Sequence, residues 1–173
     1  EMQALSPADT LVSGQFDPGI LPYEYDGPYG TIPHLSEMTE TALNILGANP
    51  KGFFLLVEGG KIDKAAHRNQ IERNIFETIE FDRAVQQAAI WADGRTDTLI
   101  VVVADHETGG LAVDQCNEAG TFPGVTWAPG SEDYRAGGHT AANVNAYAWG
   151  KLSERLPDVL DNTYFFNMIT NGQ

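Results

Sequence analysis

Phe53-Phe54-Leu55-Leu56-Val57-Glu58-Gly59-Gly60-Lys61-Ile62-Asp63-Lys64-Ala65-Ala66-His67 is the stretch on which the reading of the fold turns. Five apolar residues run without interruption and stop at a carboxylate. Two glycines then turn the chain into a helix that begins around Ile62. A short, continuous apolar run suits a parallel strand covered on both faces, whereas a half-exposed strand would alternate. Asp63 and His67 fall four residues apart, one helical turn, on the same side of the helix. A second run of the same kind, Leu99-Ile100-Val101-Val102-Val103, ends in Ala104-Asp105-His106. If the two strands are parallel neighbours, Glu58, Asp63, His67, Asp105 and His106 gather at one edge of the sheet. Open α/β sheets bind ligands at that edge. So many carboxylates together need positive charge, and metal ions supply it. The reading is metal-dependent hydrolysis.

Working outward, a helix over about 78–92 offers Ile79, Ala84, Val85, Ala88, Ala89 and Trp91 to cover the sheet. Asp93-Gly94-Arg95-Thr96-Asp97 turns the chain back into strand 98–103. Strand, helix, strand is a βαβ pattern, and the fold class follows: α/β, a layered α/β/α sandwich with a mostly parallel central sheet. Residues 1–33, rich in Pro, Gly, Asp and Tyr, read as loop with one short strand near Thr10–Gly14. A helix starts at Pro33-His34-Leu35, carries Leu35, Met38, Ala42, Leu43, Ile45 and Leu46 on its apolar face, and closes at Gly47. Residues 111–113 form a short strand, and 114–138 read as a surface loop or small insertion. His139–Val144 and Ala146–Gly150 read as a final strand. Asp161-Asn162-Thr163 caps a terminal helix.

The charge balance narrows the function. Twenty-four acidic residues against ten basic ones give a formal net charge of −14 in 173 residues. Lys and Arg are scattered, so no basic patch exists for nucleic acid phosphates. No apolar run approaches the roughly 20 residues that a membrane-spanning helix needs. Cys116 is the only cysteine, which excludes an intramolecular disulfide and a cysteine-rich zinc site. No GxxxxGK[ST] run is present, so Gly109-Gly110 is not a phosphate loop.

Taken alone, Asp63 and His67 also fit a solvated helical pair, and Asp105-His106 fit a polar strand end. The neighbouring glycines and the apolar strands before them favour ligands. Imidazole with carboxylate suits zinc, and an all-oxygen shell suits magnesium. His139, after Gly137-Gly138, can complete a set begun by Asp63 and His67. In regular strand geometry Asp105 and His106 point to opposite faces, so they share a metal only where the strand is ending. His34, at the start of a helix, reads as structural or surface.

Three segments carry a family likeness: Gly52 through His67, Ala104-Asp105-His106-Glu107-Thr108-Gly109-Gly110-Leu111, and Gly138-His139-Thr140. Over roughly residues 16–169 the chain resembles the carboxy-terminal part of bacterial alkaline phosphatase. The resemblance implies that residues 1–173 are part of one phosphatase domain, an incomplete sandwich lacking its first half. It implies a phosphate monoester hydrolase with two zinc ions and one magnesium, working through a phosphoseryl intermediate. By position, Asp63, His67 and His139 match the ligands of one zinc. Asp105 and His106 match part of the second zinc's shell, and Glu58 matches the magnesium-binding glutamate. Small phosphate monoesters are the implied substrates, a periplasmic or extracellular location the implied setting, and a homodimer of the longer parent is compatible with it.

The family's nucleophilic serine has no counterpart here, because Ser13, Ser36, Ser131 and Ser153 stand in other contexts. The chain alone is therefore expected to keep zinc affinity with negligible turnover. Two alternatives remain open from the residues: another metallohydrolase of the same superfamily, such as a sulfatase or phosphodiesterase, and a noncatalytic metal-binding or assembly module.

Overall fold

The computed structural model describes residues 2–9, 11–16, 19–128 and 138–170. Among these described residues four α-helices and six short strands follow one another. They are α1 (Leu35–Leu46), α2 (Lys61–Ala66), α3 (Ile71–Ala92), β1 (Leu99–Val103), β2 (Glu107–Thr108), β3 (Ala112–Gln115), β4 (Gly124–Thr126), β5 (His139–Thr140), β6 (Ala146–Gly150) and α4 (Thr163–Thr170).

The expected mostly parallel central sheet is overturned. The strands form three two-stranded sheets, β1 with β6, β2 with β5 and β3 with β4, and each pair is antiparallel. β1 pairs along its whole length with β6, from Leu99 opposite Gly150 to Val103 opposite Ala146. The other half of the expected parallel pair, 53–57, joins no strand ladder. Its exposure still alternates: Phe54 is 66% and Leu56 78% exposed, while Phe53, Leu55 and Val57 are half-buried. That period of two marks a segment with one covered face. An uninterrupted apolar run reports that neighbours are wanted, but it carries no information on their direction or identity. That is why the inferred pairing failed.

Other boundaries moved as well. The helix expected over 78–92 begins at Ile71, directly after Asn69 takes a left-handed φ of 54° and breaks it from α2. β4 lies inside the stretch read as irregular and makes a hairpin with β3. The single final strand is two, since β5 and β6 belong to different sheets. Leu11–Gly14 form no strand, and Thr10 and residues 129–137 lie outside the described residues. α4 begins as expected, with Asp161 Oδ1 accepting from the Thr163 amide (3.0 Å) and hydroxyl (2.7 Å).

α1 and α2 pack on α3, whose buried face includes Glu77, Glu80 and Ala84. Two carboxylates inside a helix packing face need donors. Glu80 Oε1 accepts the Ser36 amide at 2.8 Å, so α3 caps the amino terminus of α1 from outside. Glu77 Oε1 accepts the Glu24 amide at 2.9 Å and ties down the loop before α1. That loop is also clamped at Tyr23, which is buried beneath two cations. The Lys61 ammonium lies 3.9 Å and the Arg73 guanidinium 4.5 Å from its ring. Ala65 and Ala66, 0% and 4% exposed, let α2 sit close against its surroundings. Burying Leu43 of α1 supplies about 2 kcal/mol. Among the described residues no large side chain is completely enclosed.

At the far end, Gly150 closes β6 with φ 90°, and the Thr98 carbonyl oxygen lies where a side chain on it would go. A side chain there would meet both a strained backbone and that oxygen. The Lys151 amide donates to the same carbonyl at 2.8 Å.

Candidate metal centre

α2 positions the first two groups. Its single turn and a half carries Asp63, and His67 caps the helix with its amide on the Asp63 carbonyl at 2.9 Å. One helical turn apart, the side chains meet: His67 Nε2 lies 3.1 Å from Asp63 Oδ1. β1 stops at Val103, so the backbone leaves strand geometry before Asp105 and His106. Both side chains then reach the same side, with His106 Nε2 3.1 Å from Asp105 Oδ2.

β2 and β5 bring in the third segment. Their ladder sets Thr108 opposite His139 and Glu107 opposite Thr140. His139 Nε2 thereby comes to 3.3 Å from Asp63 Oδ1. Its ring stacks on that of His106, 3.3 Å between centroids at 17°, and lies 5.1 Å from the His67 ring. Donor atoms of Asp63, His106 and His139 all fall within 4.8 Å of one another.

The remaining candidates stand further out. Asp105 has its side chain 88% exposed and enters only through His106. Glu58 is exposed and curls over the Gly59-Gly60 turn, its Oε1 2.9 Å from where a Cβ on Gly60 would lie. The shared space draws on both ligand sets that the family likeness implies. Asp63, His106 and His139 share one space, His67 joins through Asp63, and Glu58 lies outside the three-residue cluster.

Electrostatics favour an anionic hub. Burial alone would raise the Asp63 pKa. Hydrogen bonds from Thr108 and Lys64 and the nearby His67 outweigh it and hold the carboxyl below its ordinary range. Glu107 behaves alike: against the cost of burial, donation from Thr140, Leu111 and Gly110 lowers its pKa. Those bonds measure 2.6, 3.1 and 3.0 Å. Glu107 so braces the turn between β2 and the hairpin and links it to β5. Gly109 in that turn takes φ 85°, with Trp127 and the Ala66 carbonyl packed where a side chain would go.

Converging imidazole nitrogens and one low-pKa carboxylate form a nitrogen and oxygen donor set that fits a divalent cation of the zinc class. Glu107, Thr108 and Thr140 were passed over in the sequence, where they are neighbours of ligands and nothing more. Their roles depend on register, which no local spacing reports.

A second convergence was also missed. His34 Nδ1 lies 3.0 and 2.9 Å from the two oxygens of Glu24, near the buried Glu80. Its imidazole stacks on Tyr29 at 4.4 Å. Burial opposes charge on His34, but the bond and attraction to Glu24 win and raise its pKa. This agrees with the structural reading of that residue: Glu80 already accepts from Ser36 and from Arg83 at 3.2 Å.

Among the described residues, no helix is long and apolar enough to cross a membrane. Residues 2–127 match the model of the alkaline phosphatase family. The tissue-nonspecific alkaline phosphatase of Rattus norvegicus is 47% identical over 108 residues, 61% of this chain and 20% of that protein. The alkaline phosphatase of Schizosaccharomyces pombe is 37% identical over 134 residues, 75% of this chain and 25% of the yeast protein. Among solved structures, the alkaline phosphatase of the Antarctic bacterium TAB5 superposes with a TM-score of 0.70 at 29% identity. It covers 87% of this chain and 43% of its own. A mutant of that enzyme with magnesium bound gives 0.67 at 30% identity, over 79% and 40%. The chain thus spans about a fifth to a quarter of the curated relatives it matches. These likenesses reach mammals, a yeast and a bacterium, so they single out no bacterial branch.

Proposed function

The chain belongs to the alkaline phosphatase family, and from that premise we propose that it supplies metal ligands to a phosphate monoester hydrolase. The observation that carries this is the meeting of Asp63, His106 and His139, from three separate segments, within 4.8 Å. In the proposal Asp63, His67 and His139 hold one zinc, Asp105 and His106 help hold a second, and Glu58 serves a magnesium. Bound divalent cations supply Lewis-acid charge that polarises phosphoryl oxygens and offsets the charge gathering in the transition state.

The chain's own residues do the positioning. Asp63 is kept ionised by its hydrogen bonds, so it presents oxygen lone pairs without first losing a proton. The β2–β5 ladder fixes His139 against α2. Asp105, with its exposed carboxylate, sits where a small solvent-borne substrate can approach. Small phosphate monoesters are the proposed substrates, acted on outside the cytoplasm by a longer protein whose remaining segments bring the nucleophilic serine. The open apolar face of Phe54 and Leu56 fits that reading, because a neighbouring segment would cover it.

Turnover of an aryl phosphate monoester, an aryl phosphate diester and an aryl sulfate by the full-length protein tests the assignment. Monoester turnover that a chelator abolishes and zinc with magnesium restores is expected. Preference for the diester or the sulfate would move the chain to another activity of the superfamily. Zinc binding without any turnover would favour the noncatalytic module.

A further inference from the structure

α2, the helix that carries Asp63, has little in its own sequence to hold it. It is six residues long, and its amino-terminal cap, Gly60, has no side chain to offer. A helix this short does not persist by itself in water. The Gly59-Gly60 pair before it leaves the chain the widest conformational freedom at that point. Its first turn is fastened from outside.

Both backbone groups of Ile62 are engaged there. The Ile62 amide donates to the Gly59 carbonyl at 3.1 Å and closes the turn into the helix. The Ile62 carbonyl accepts the side-chain amide of Asn74, with Nδ2 at 3.0 Å. A carbonyl oxygen only accepts, so the NH2 end of Asn74 is the end turned to it. Lys61 reaches the other way, to the Leu21 carbonyl. Of these two tethers, the Asn74 bond is the one on the peptide unit that leads into Asp63. The Ile62 carbonyl and the Asp63 amide share a single rigid plane. A bond that fixes this oxygen therefore fixes the plane from which Asp63 departs.

The donor is mounted on the sturdier helix. Asn74 lies in the first turn of the 22-residue α3, with its own amide on the Gln70 carbonyl at 2.9 Å. Asparagine is a poorer helix former than alanine or leucine. What it adds at this half-buried position is the donor.

We infer that Asn74 is a positioning residue that acts through the Ile62 carbonyl to orient Asp63 toward His139. The Asp63–His139 separation is 3.3 Å, and a tilt of the Ile62–Asp63 plane would open it. The purpose of this device rests on the metal reading above. The bond itself involves no titratable group and no ion.

The test compares the wild-type chain with Asn74→Leu, which keeps the bulk and loses the donor, and Asn74→Gln, which keeps the donor. Glu80→Ala is the control, since it removes a buried acceptor from α3 that faces α1. Two readouts are used. The amide nitrogen resonance of Asp63 in the metal-free chain responds to hydrogen bonding at the carbonyl before it. Zinc affinity is read by competition with a chromogenic chelator. Asn74→Leu is expected to shift the Asp63 resonance and to bind zinc about 10-fold more weakly. Asn74→Gln should stay within about 3-fold of wild type, and Glu80→Ala should change neither readout.

An Asn74→Leu protein with the wild-type Asp63 resonance would overturn the inference. So would an Asn74→Gln protein as defective as Asn74→Leu, because packing rather than the donor would then be responsible. Equal loss of zinc affinity in Glu80→Ala would also overturn it, by tracing the effect to general loosening of α3. If the wild type takes up no zinc, the metal reading fails, while the Asp63 resonance still decides whether Asn74 orients that residue. Amide spectra superposable on wild type outside α2 and the first turn of α3 separate these results from misfolding.

Discussion

Two places in this chain bring imidazole to carboxylate, and they divide on what happens to the acceptors. Around His34, Glu24 spends both oxygens on the ring, and Glu80 spends its own on the Ser36 amide and Arg83. Around Asp63, three imidazoles and a hydroxyl face one carboxylate, and Asp105 opens to solvent. Both are built from imidazole and carboxylate. The difference is that the first network closes on protein donors, so it fastens α1 and its preceding loop to α3. The second leaves the Asp105 carboxylate turned to solvent, where its lone pairs can meet a cation. Residue type alone therefore does not mark a metal centre.

The largest effect expected is at the hub. Asp63→Asn should weaken zinc binding by at least about 100-fold, more than loss of an outer partner usually does. Chelator competition measures this, and the helical half should stay folded. An Asp63→Asn protein with undiminished affinity would erase the distinction between the clusters. The mirror experiment is Glu80→Ala, which leaves the Ser36 amide without its buried acceptor. It should cost about 1–3 kcal/mol in chemical denaturation and leave zinc affinity unchanged.

Glu107→Gln sharpens the contrast on the strand side. Because the folded pKa of Glu107 is lowered, its contribution is present above the unfolded value near 4.5 and is lost as pH falls through the folded one. Loss of the carboxylate should cost about 1 kcal/mol at neutral pH and flatten the acid limb of the stability profile. His34→Gln tests the opposite sign. The folded pKa of His34 is raised, so its stabilisation is complete below about 6.5 and fades as pH climbs through the folded value. With a side chain 39% exposed, solvent screening limits the gain to a few tenths of a kcal/mol. Denaturation midpoints at pH 6 and pH 8 should differ more in wild type than in His34→Gln.

What could be read beforehand follows the range of each interaction. Asp63 and His67 were legible because one helical turn brings them together without help from the rest of the chain. His106 and His139 were legible as candidates, through the glycines and motifs beside them, but their stacking needs a ladder between segments far apart in sequence. The partner of Leu99–Val103 was not legible at all. Val101 meets Ala148, and nothing local in either segment states that pairing or its antiparallel sense. The same holds for Glu80, whose place as the cap of α1 appears only after two helices have packed. Thr108 and Glu107 were invisible for a related reason: a one-residue shift in β2 would turn both side chains away from their partners.

The ladder between β2 and β5 is two residues long on each side. Closing it gathers roughly thirty intervening residues into a loop, an entropic cost that so few bonds barely repay. Such a clasp opens locally far more often than the chain unfolds. The amides of Gly109 and Thr140 would then exchange with solvent on a shorter timescale than those inside α3. An ion bridging Asp63 and His139 would act as the latch that slows this breathing.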